Sequence, residues 1–182
     1  FQYGYSLFVA NNYAEAQKYL KPLLSNQKGN YYHDAVYYIA LIDFKNKEYE
    51  DAEKGFLKVE NVDKYRYQIP VLLSQVYYQQ KQYNKVITYA EPKLAFSDQN
   101  VDQMSHIVGQ SYFELGNYKK AIGYLESFLE KNKRVTPEEM YQVAFAQYKT
   151  GKYKEAIVNL KELQLADGEL AQNALYALAD CY

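Results

Sequence analysis

The sequence is poor in the residues that end helices and in cysteine. Its 182 residues include four prolines, eight glycines, one cysteine and no tryptophan. The single cysteine, Cys181, excludes an internal disulfide and a cysteine-based metal site. Few breakers combined with many large rings favour packed helices over a β-sandwich, which needs frequent turns. No apolar run approaches the roughly 18 residues of a membrane span, so we expect no direct membrane insertion in this segment.

A charge excess of either sign is also lacking. The chain has 21 basic and 22 acidic residues and a formal net charge of −1. Nucleic acids and anionic membranes attract strongly basic surfaces, so neither is an expected partner.

Motifs for catalysis, cofactors and metals are missing as well. There is no glycine-rich phosphate loop and no nucleophile motif. His33 and His106 are the only histidines, and neither has a Glu or His at metal-ligand spacing. The sequence therefore predicts no enzyme, no cofactor and no metal site. His33 and His106 are expected to be surface or groove residues, and Cys181 to be a buried, inert thiol.

What the sequence does contain is a repeated pattern built on tyrosine, of which it has 23. Tyrosines at 13, 49, 83, 118 and 153 are separated by 36, 34, 35 and 35 residues. A small residue lies nine positions before each of these tyrosines. Another small residue lies three positions after the tyrosine, except in one repeat. An apolar residue follows four positions later and is large in four of the five repeats. In chain order these sets are Gly4, Ala40, Ser74, Gly109 and Ala144; Ala16, Ala52, Val86, Ala121 and Ala156; and Leu20, Phe56, Ala90, Leu125 and Leu160. The spacing predicts helix hairpins whose second helix begins at each tyrosine and whose helices cross at small residues.

This pattern, with Gly116, Tyr118 and Ala121 as its clearest instance, resembles the tetratricopeptide repeat. The resemblance implies an all-α, right-handed superhelical solenoid of antiparallel helix hairpins, with about five repeats and a terminal helix. We expect one array, divided into 1–32 (partial), 33–66, 67–101, 102–136, 137–171 and 172–182 (partial). Because the chain begins at Phe1 without a methionine, we expect it to be an excerpt of a longer protein.

Several residues predict local features: a looser helix crossing, two shortened helices and one helix start. Lys81 and Val86 replace the usual Gly and Ala, which should loosen the helix crossing in repeat 67–101. Pro22 and Pro92 should kink or shorten the second helices of their repeats. Thr136-Pro137 reads as an N-cap followed by the first residue of a helix. The motif tyrosines are expected to pack at the hairpin turns, and Tyr77, Tyr112 and Tyr182 to occupy the aromatic core position of first helices.

The resemblance also implies a binding groove on the first helices, contacted mainly from the second, fifth, ninth, twelfth and thirteenth residues of each repeat; the candidate site residues are at the fifth, ninth and twelfth. These residues are Tyr37, Leu41, Phe44, Val71, Gln75, Tyr78, His106, Gln110, Phe113, Tyr141, Phe145 and Tyr148. They make the groove aromatic and amide-rich, which suits a peptide or helix of a protein partner. The open alternative is that the rings at the twelfth position only pack between repeats. A carboxylate clamp is not expected, because the ninth position is never Asn.

Other functions remain open at this point. The array could be a self-assembly or spacer module, and a homodimer would then form through the apolar terminal helices, at Tyr176, Leu178 and Tyr182. A glycan or small ligand could stack on the aromatic rings, but no polar constellation supports it. The run Tyr-Leu-Glu-Ser-Phe-Leu-Glu-Lys at 124–131 resembles bacterial cell-envelope proteins with this repeat, so a bacterial periplasmic or cell-envelope location is expected.

Overall fold

The computed structural model describes residues 1–95, 100–132, 134–163 and 168–182. All regular structure in these ranges is helical, and none of the helices is long and apolar enough to cross a membrane. In chain order the α-helices are α1 Gln2–Val9, α2 Tyr13–Leu20, α3 Tyr32–Lys45, α4 Tyr49–Val59, α5 Ile69–Gln79, α6 Tyr83–Ala90, α7 Val101–Glu114, α8 Tyr118–Lys131, α9 Pro137–Lys149, α10 Tyr153–Glu162 and α11 Glu169–Asp180.

The described chain divides into two compact units. The N-terminal unit holds residues 1–82 and Asn100, and the C-terminal unit holds residues 83–95 and 101–182. In the first, α1 packs on α2, α2 on α3, α3 on α4 and α4 on α5; in the second, each helix from α6 to α11 packs on the next. This sequential packing is that of stacked antiparallel hairpins. The predicted repeats 67–101, 102–136 and 137–171 include residues 96–99, 133 and 164–167, which lie outside the described ranges.

Each hairpin turn is closed by the same backbone motif. The residue two places before each motif tyrosine has a φ between 57° and 81°, in the left-handed region. At Gly116, for example, the N–H donates to the Phe113 carbonyl at 2.8 Å, and the next N–H, of Asn117, donates to Tyr112 at 2.8 Å. These bonds satisfy the last carbonyls of one helix immediately before the next begins. The equivalent left-handed residues are Asn11, Lys47, Lys81 and Gly151. The prediction that second helices begin at the motif tyrosines is confirmed.

The predicted crossing positions are all buried, as the small-against-large pattern requires. A Cβ added to Gly109 of α7 would lie 2.6 Å from the Cβ of Tyr124 in α8. Gly55, which the sequence pattern missed, makes the same close approach: its added Cβ would lie 2.6 Å from the Cβ of Ala40. The two helices of a hairpin are therefore close enough that side-chain size is limited at these positions.

The helix ends follow the local sequence signals. α2 ends at Leu20 and α6 at Ala90, and each is followed by a 3₁₀ segment, Lys21–Ser25 and Glu91–Ala95, with proline as its second residue. Both second helices are thus shortened, as predicted, because proline lacks the N–H that continues an α-helix. The predicted start of α9 is also confirmed: Thr136 and Glu139 form a reciprocal capping box.

Buried polar residues on the first helices connect each repeat to the one before it. Asp43 accepts a hydrogen bond from Gln17 Nε2 at 2.9 Å. The Tyr112 hydroxyl donates to Glu91 at 2.7 Å. These residues share the eleventh position of their repeats, so the bonds fix how neighbouring hairpins align.

The aromatic core prediction at this position is confirmed for Tyr77 and Tyr112, both buried, and is wrong for Tyr182. Tyr182 is 80% exposed and lies two residues beyond the end of α11 at Asp180.

The buried carboxyl group of Asp43 has a raised pKa. Burial raises the pKa of Asp43 to about 6, and the negative charges of Glu48 and Asp51 add to the rise. Gln17 satisfies one carboxylate oxygen without neutralising the charge. A raised pKa in the folded state means that folding takes up a proton. The contribution of Asp43 to stability is therefore fully present below pH 3.8 and is lost as the pH rises to about 6.

We expect Asp43→Asn to stabilise the protein above pH 6, because asparagine keeps an acceptor for Gln17 and carries no charge. A shift from 3.8 to about 6 corresponds to at most about 3 kcal/mol. The gain should shrink to nothing near pH 3.5, and denaturant unfolding at several pH values measures it. Asp63→Asn, at an exposed carboxyl, is the control. An equal effect of both variants, or a gain independent of pH, would contradict the raised pKa.

Alanine substitutions at three glycines distinguish the effect of a positive φ from the effect of a steric clash between the two helices of a hairpin. Gly109→Ala should cost about 1–3 kcal/mol of unfolding free energy, because its Cβ would meet Tyr124. Gly116→Ala should cost about 1 kcal/mol through its positive φ alone, since no atom lies near the added Cβ. Gly123→Ala, on an open helical site, should instead add about 0.5–1 kcal/mol. Thermal and denaturant unfolding give this order, and a stabilising Gly116→Ala would rule out the left-handed turn.

Candidate functional site

The predicted groove residues lie on the first helices of the hairpins, and their exposure is uneven. Ten of the twelve are partly exposed: Tyr37, Leu41, Phe44, Gln75 and Tyr78 in the N-terminal unit, and Gln110, Phe113, Tyr141, Phe145 and Tyr148 in the C-terminal unit. Their side chains are therefore accessible in part to a ligand.

Val71 and His106 depart from the prediction because both are buried, with exposed fractions of 5% and 9%. Each precedes by one helical turn the small residue at the helix crossing, Ser74 or Gly109. For His106 the side chain consequently lies against the partner helix α8, where its ring stacks on Phe128. Neither residue offers a contact surface, and the expectation that His106 is a surface or groove residue is wrong. His33 is exposed, as expected.

In the N-terminal unit, the predicted rings are largely occupied by other rings. Tyr37 stacks on Tyr65 with a centroid distance of 4.2 Å, and Phe44 packs against the motif residue Tyr49 at 5.7 Å. The Tyr65 hydroxyl also hydrogen-bonds to Asp34, which pairs with Lys64.

Tyr38, which lies beside Tyr37 on α3, is not among the residues that the repeat pattern predicts. Its ring centroid lies 5.0 Å from Tyr5, 5.0 Å from Phe8 and 5.9 Å from Phe1. Burial, together with the neighbouring Tyr5, raises the pKa of Tyr38 to about 12. The signal available in the sequence was the consecutive pair Tyr37-Tyr38, in which one ring can face α1 while the other faces Tyr65.

The C-terminal unit carries a continuous line of rings, here called the aromatic row: Phe113, Tyr118, Tyr141, Phe145, Tyr148 and Tyr153. Phe145 of α9 is its centre, with centroids 6.0 Å from Phe113, 5.5 Å from Tyr141 and 5.7 Å from Tyr148. Tyr118 joins Phe113 and Phe145, and Tyr153 joins Tyr148. The motif tyrosines 13, 49, 118 and 153 thus pack at their hairpin turns, as predicted.

The aromatic row connects repeats as well as presenting a surface. Phe113 belongs to α7 and Phe145 to α9, so their edge-to-face contact crosses between two hairpins. The alternative that rings at the twelfth position pack between repeats is therefore realised at Phe113. Because the ring remains partly exposed, packing and ligand contact are compatible at this residue.

Polar groups border the aromatic row on two sides. Gln110 Nε2 donates to Gln142 Oε1 at 3.1 Å, which forms an amide pair between α7 and α9. The Tyr148 hydroxyl donates to Asp180 of α11 at 2.8 Å. The Lys149 ammonium lies 4.6 Å from the Tyr148 ring centroid and 5.2 Å from that of Phe145. A surface of this kind can offer ring faces, amide donors and acceptors, and the Lys149 ammonium.

The terminal segment differs from the predictions at Leu178, which was expected to be exposed, and at Cys181, which was expected to be buried. Leu178 is only 6% exposed, because it packs with Ala144, Leu160 and Ala174 in the core formed by α9, α10 and α11. Tyr176, by contrast, is 65% exposed. Cys181 is only partly buried, and burial raises the pKa of its thiol. The apolar outer surface of α11 therefore centres on Tyr176, with Leu175 and Tyr182 also exposed.

Metal ligation finds no geometric support in the part of the chain that the structure describes. No group of three or more His, Cys, Asp or Glu side chains there could hold an ion.

Two family models match the chain. A tetratricopeptide repeat model matches residues 2–64, and the model of anaphase-promoting complex, cyclosome, subunit 3 matches residues 79–163. A comparison with curated proteins finds no match.

Solved structures with the same fold cover nearly all of the chain. A double mutant of MamA RS-1 aligns with a TM-score of 0.74 and 15% identity, over 94% of this chain and 92% of its own. A tetratricopeptide repeat protein from Parabacteroides merdae aligns with a TM-score of 0.73 and 16% identity, over 100% and 70%. PilF from Pseudomonas aeruginosa aligns with a TM-score of 0.67 and 18% identity, over 99% and 86%. At these identities the likeness establishes the fold alone.

Proposed function

Because the chain is a tetratricopeptide repeat protein, a family whose members generally mediate protein–protein interaction, we propose that it is a non-catalytic module that binds a peptide or helix of a partner protein. The proposed contact surface is the aromatic row with the Gln110–Gln142 amide pair, on α7 and α9 of the C-terminal unit. A bacterial cell-envelope location stays a prediction.

The observation that carries the proposal is the combination of connected, partly exposed rings with a neighbouring pair of amides. Phe145 contacts Phe113, Tyr141 and Tyr148, so the rings support one another and lose little side-chain entropy on binding. Such rigid aromatic groups are the usual anchors of protein interfaces.

The amide pair supplies the polar part of the contact. Gln110 and Gln142 each keep further donor and acceptor capacity beyond their mutual bond at 3.1 Å. Peptide backbone groups that lose water on binding need such partners. The exposed charges on α7 and α9 next to the row, Glu114 and Lys149, have opposite signs, so we expect apolar anchors rather than net charge to select the ligand.

We expect peptides selected from a displayed random library on the intact protein to depend on this surface. Tyr141→Ala and Gln142→Ala should each weaken their binding by about tenfold, which corresponds to about 1.4 kcal/mol. Both side chains are partly exposed, so truncation should leave the fold intact. Titration of each purified variant with the selected peptides measures the dissociation constants.

Val158→Ala is the matched control for these truncations. Val158 is 60% exposed and lies on α10, a second helix. The Val158→Ala variant should bind the selected peptides with the affinity of the unchanged protein. If Tyr141→Ala and Gln142→Ala retain full affinity, or if only Val158→Ala loses it, the aromatic row is not the binding surface.

The exposed outer surface of α11 favours a second function, self-association. Leu175, Tyr176 and Tyr182 together expose apolar area next to a packed core, and such patches often mark interfaces. A homodimer through this helix would be the isologous contact that is commonest among oligomers. Leu178, being buried, would contribute to the fold rather than to this interface.

Concentration-dependent molar mass tests self-association. If α11 is an interface, the unchanged chain should dimerise and Tyr176→Glu should be monomeric at the same concentrations, because a dimer would bury the introduced charge. Val158→Glu, at a similarly exposed position on α10, should still dimerise. A monomeric unchanged chain, or equal masses for the unchanged chain and Tyr176→Glu, removes this second function.

A further inference from the structure

His106 has an unusual environment for a side chain that titrates near neutral pH. It is buried in α7, and its ring stacks on Phe128 of α8 with parallel planes and a centroid distance of 3.5 Å. Its Nε2 is inaccessible and has no hydrogen-bond partner among the described residues. A neutral imidazole fits this contact, whereas a protonated one brings a buried charge and an unsatisfied N–H donor.

Glu139 carries the carboxylate that could neutralise a protonated His106. The same carboxylate already takes part in the capping box of α9. Its Oε1 lies 3.9 Å from His106 Nε2, beyond hydrogen-bond distance. Its Oε2 accepts the Thr136 backbone N–H at 2.8 Å, and its own N–H donates to Thr136 Oγ1 at 3.2 Å. The capping box at the start of α9 therefore holds this carboxylate away from the imidazole.

The other charged groups on these three helices do not compensate His106. Asp102, one turn earlier on α7, pairs with Lys131 of α8 at 2.6 Å, and both side chains are more than half exposed. Glu138, in the first turn of α9, is exposed. Glu139 is the group whose charge acts on His106, and burial outweighs it.

We propose that His106 is a proton-sensitive contact that loosens the packing of α9 against α7 and α8 when the pH falls below about 6.5. Protonation places a charge between Phe128 and α9, and Glu139 can neutralise it only by distorting the cap of α9. Because Phe113 and Phe145 lie on the same two helices as His106 and Glu139, their contact weakens as well.

The lowered pKa of His106 explains why a fall in pH destabilises this packing. Burial lowers the pKa of His106 below its ordinary value of 6.5, and the charge of Glu139 offsets only part of this effect. An opened state, with the ordinary pKa, binds the proton more readily than the packed state does. The stability that neutral His106 contributes is thus complete above 6.5 and is lost as the pH falls toward the lower pKa of the packed state.

Hydrogen exchange of the intact chain at pH 7.5 and 5.5, corrected for the intrinsic pH dependence of exchange, tests the proposal locally. Protection of the slowest amides of α7, α8 and α9 should fall at pH 5.5 by up to about tenfold, the limit for a group of pKa 6.5 one pH unit lower. His106→Phe keeps the stacked ring and should retain its protection at pH 5.5. If the His106→Phe variant does not fold, the His106→Gln variant is used in the same test.

Two further variants separate this mechanism from a general acid effect. His33→Gln removes the exposed histidine and should behave like the unchanged chain. Glu139→Gln preserves a capping acceptor but removes the compensating charge, so it should deepen the loss at pH 5.5. The proposal is overturned if the unchanged chain keeps its protection at pH 5.5, if replacing His106 leaves the loss unchanged, or if Glu139→Gln abolishes it.

Discussion

The close approach of paired helices at their crossings is the constraint on which the packing of the hairpins depends. At Gly109 and Gly55 an added methyl group would lie 2.6 Å from a Cβ of the partner helix. At these crossings the large residues that follow Ala121 and Ala52 by one helical turn, Leu125 and Phe56, are completely buried. Each hairpin thus contributes a tightly packed layer, and neighbouring layers bury what remains exposed. The left-handed turn residue serves the same purpose, because it reverses the chain within three residues and keeps the crossing positions opposite each other.

The surface that we propose for binding results from the same packing. Phe113 and Phe145 make contact because hairpins stack in register, and the remaining exposed ring area is a consequence of their size. In the N-terminal unit the equivalent residue Phe44 packs on Tyr49 just as Phe113 packs on Tyr118, but Tyr37 is covered by Tyr65. Two units with the same repeat pattern therefore present different surfaces. The repeat pattern predicts a protein partner, whereas the side chains at a few positions decide where it would bind.

Two buried titratable groups oppose each other in their response to pH. Asp43 has a raised pKa in the N-terminal unit, and His106 has a lowered one in the C-terminal unit. Burial is the main cause in both cases, because it disfavours whichever form carries the charge. Acidification consequently favours the packing around Asp43 and disfavours the packing around His106. A repeat protein can combine these responses because each hairpin interacts mainly with its neighbours.

The sequence by itself determined the helical class, the start of each second helix and the residues at the crossings, because these depend on spacing along the chain. Pro22 and Pro92 likewise ended α2 and α6 through their own backbone chemistry. Tertiary structure alone decided that Val71, His106 and Leu178 are buried and that Tyr182 is exposed. Repeat position assigns a residue to one side of a helix, but burial also depends on which neighbouring side chain reaches it. For His106 that neighbour is Phe128, and no spacing rule predicts a contact between two rings on different helices.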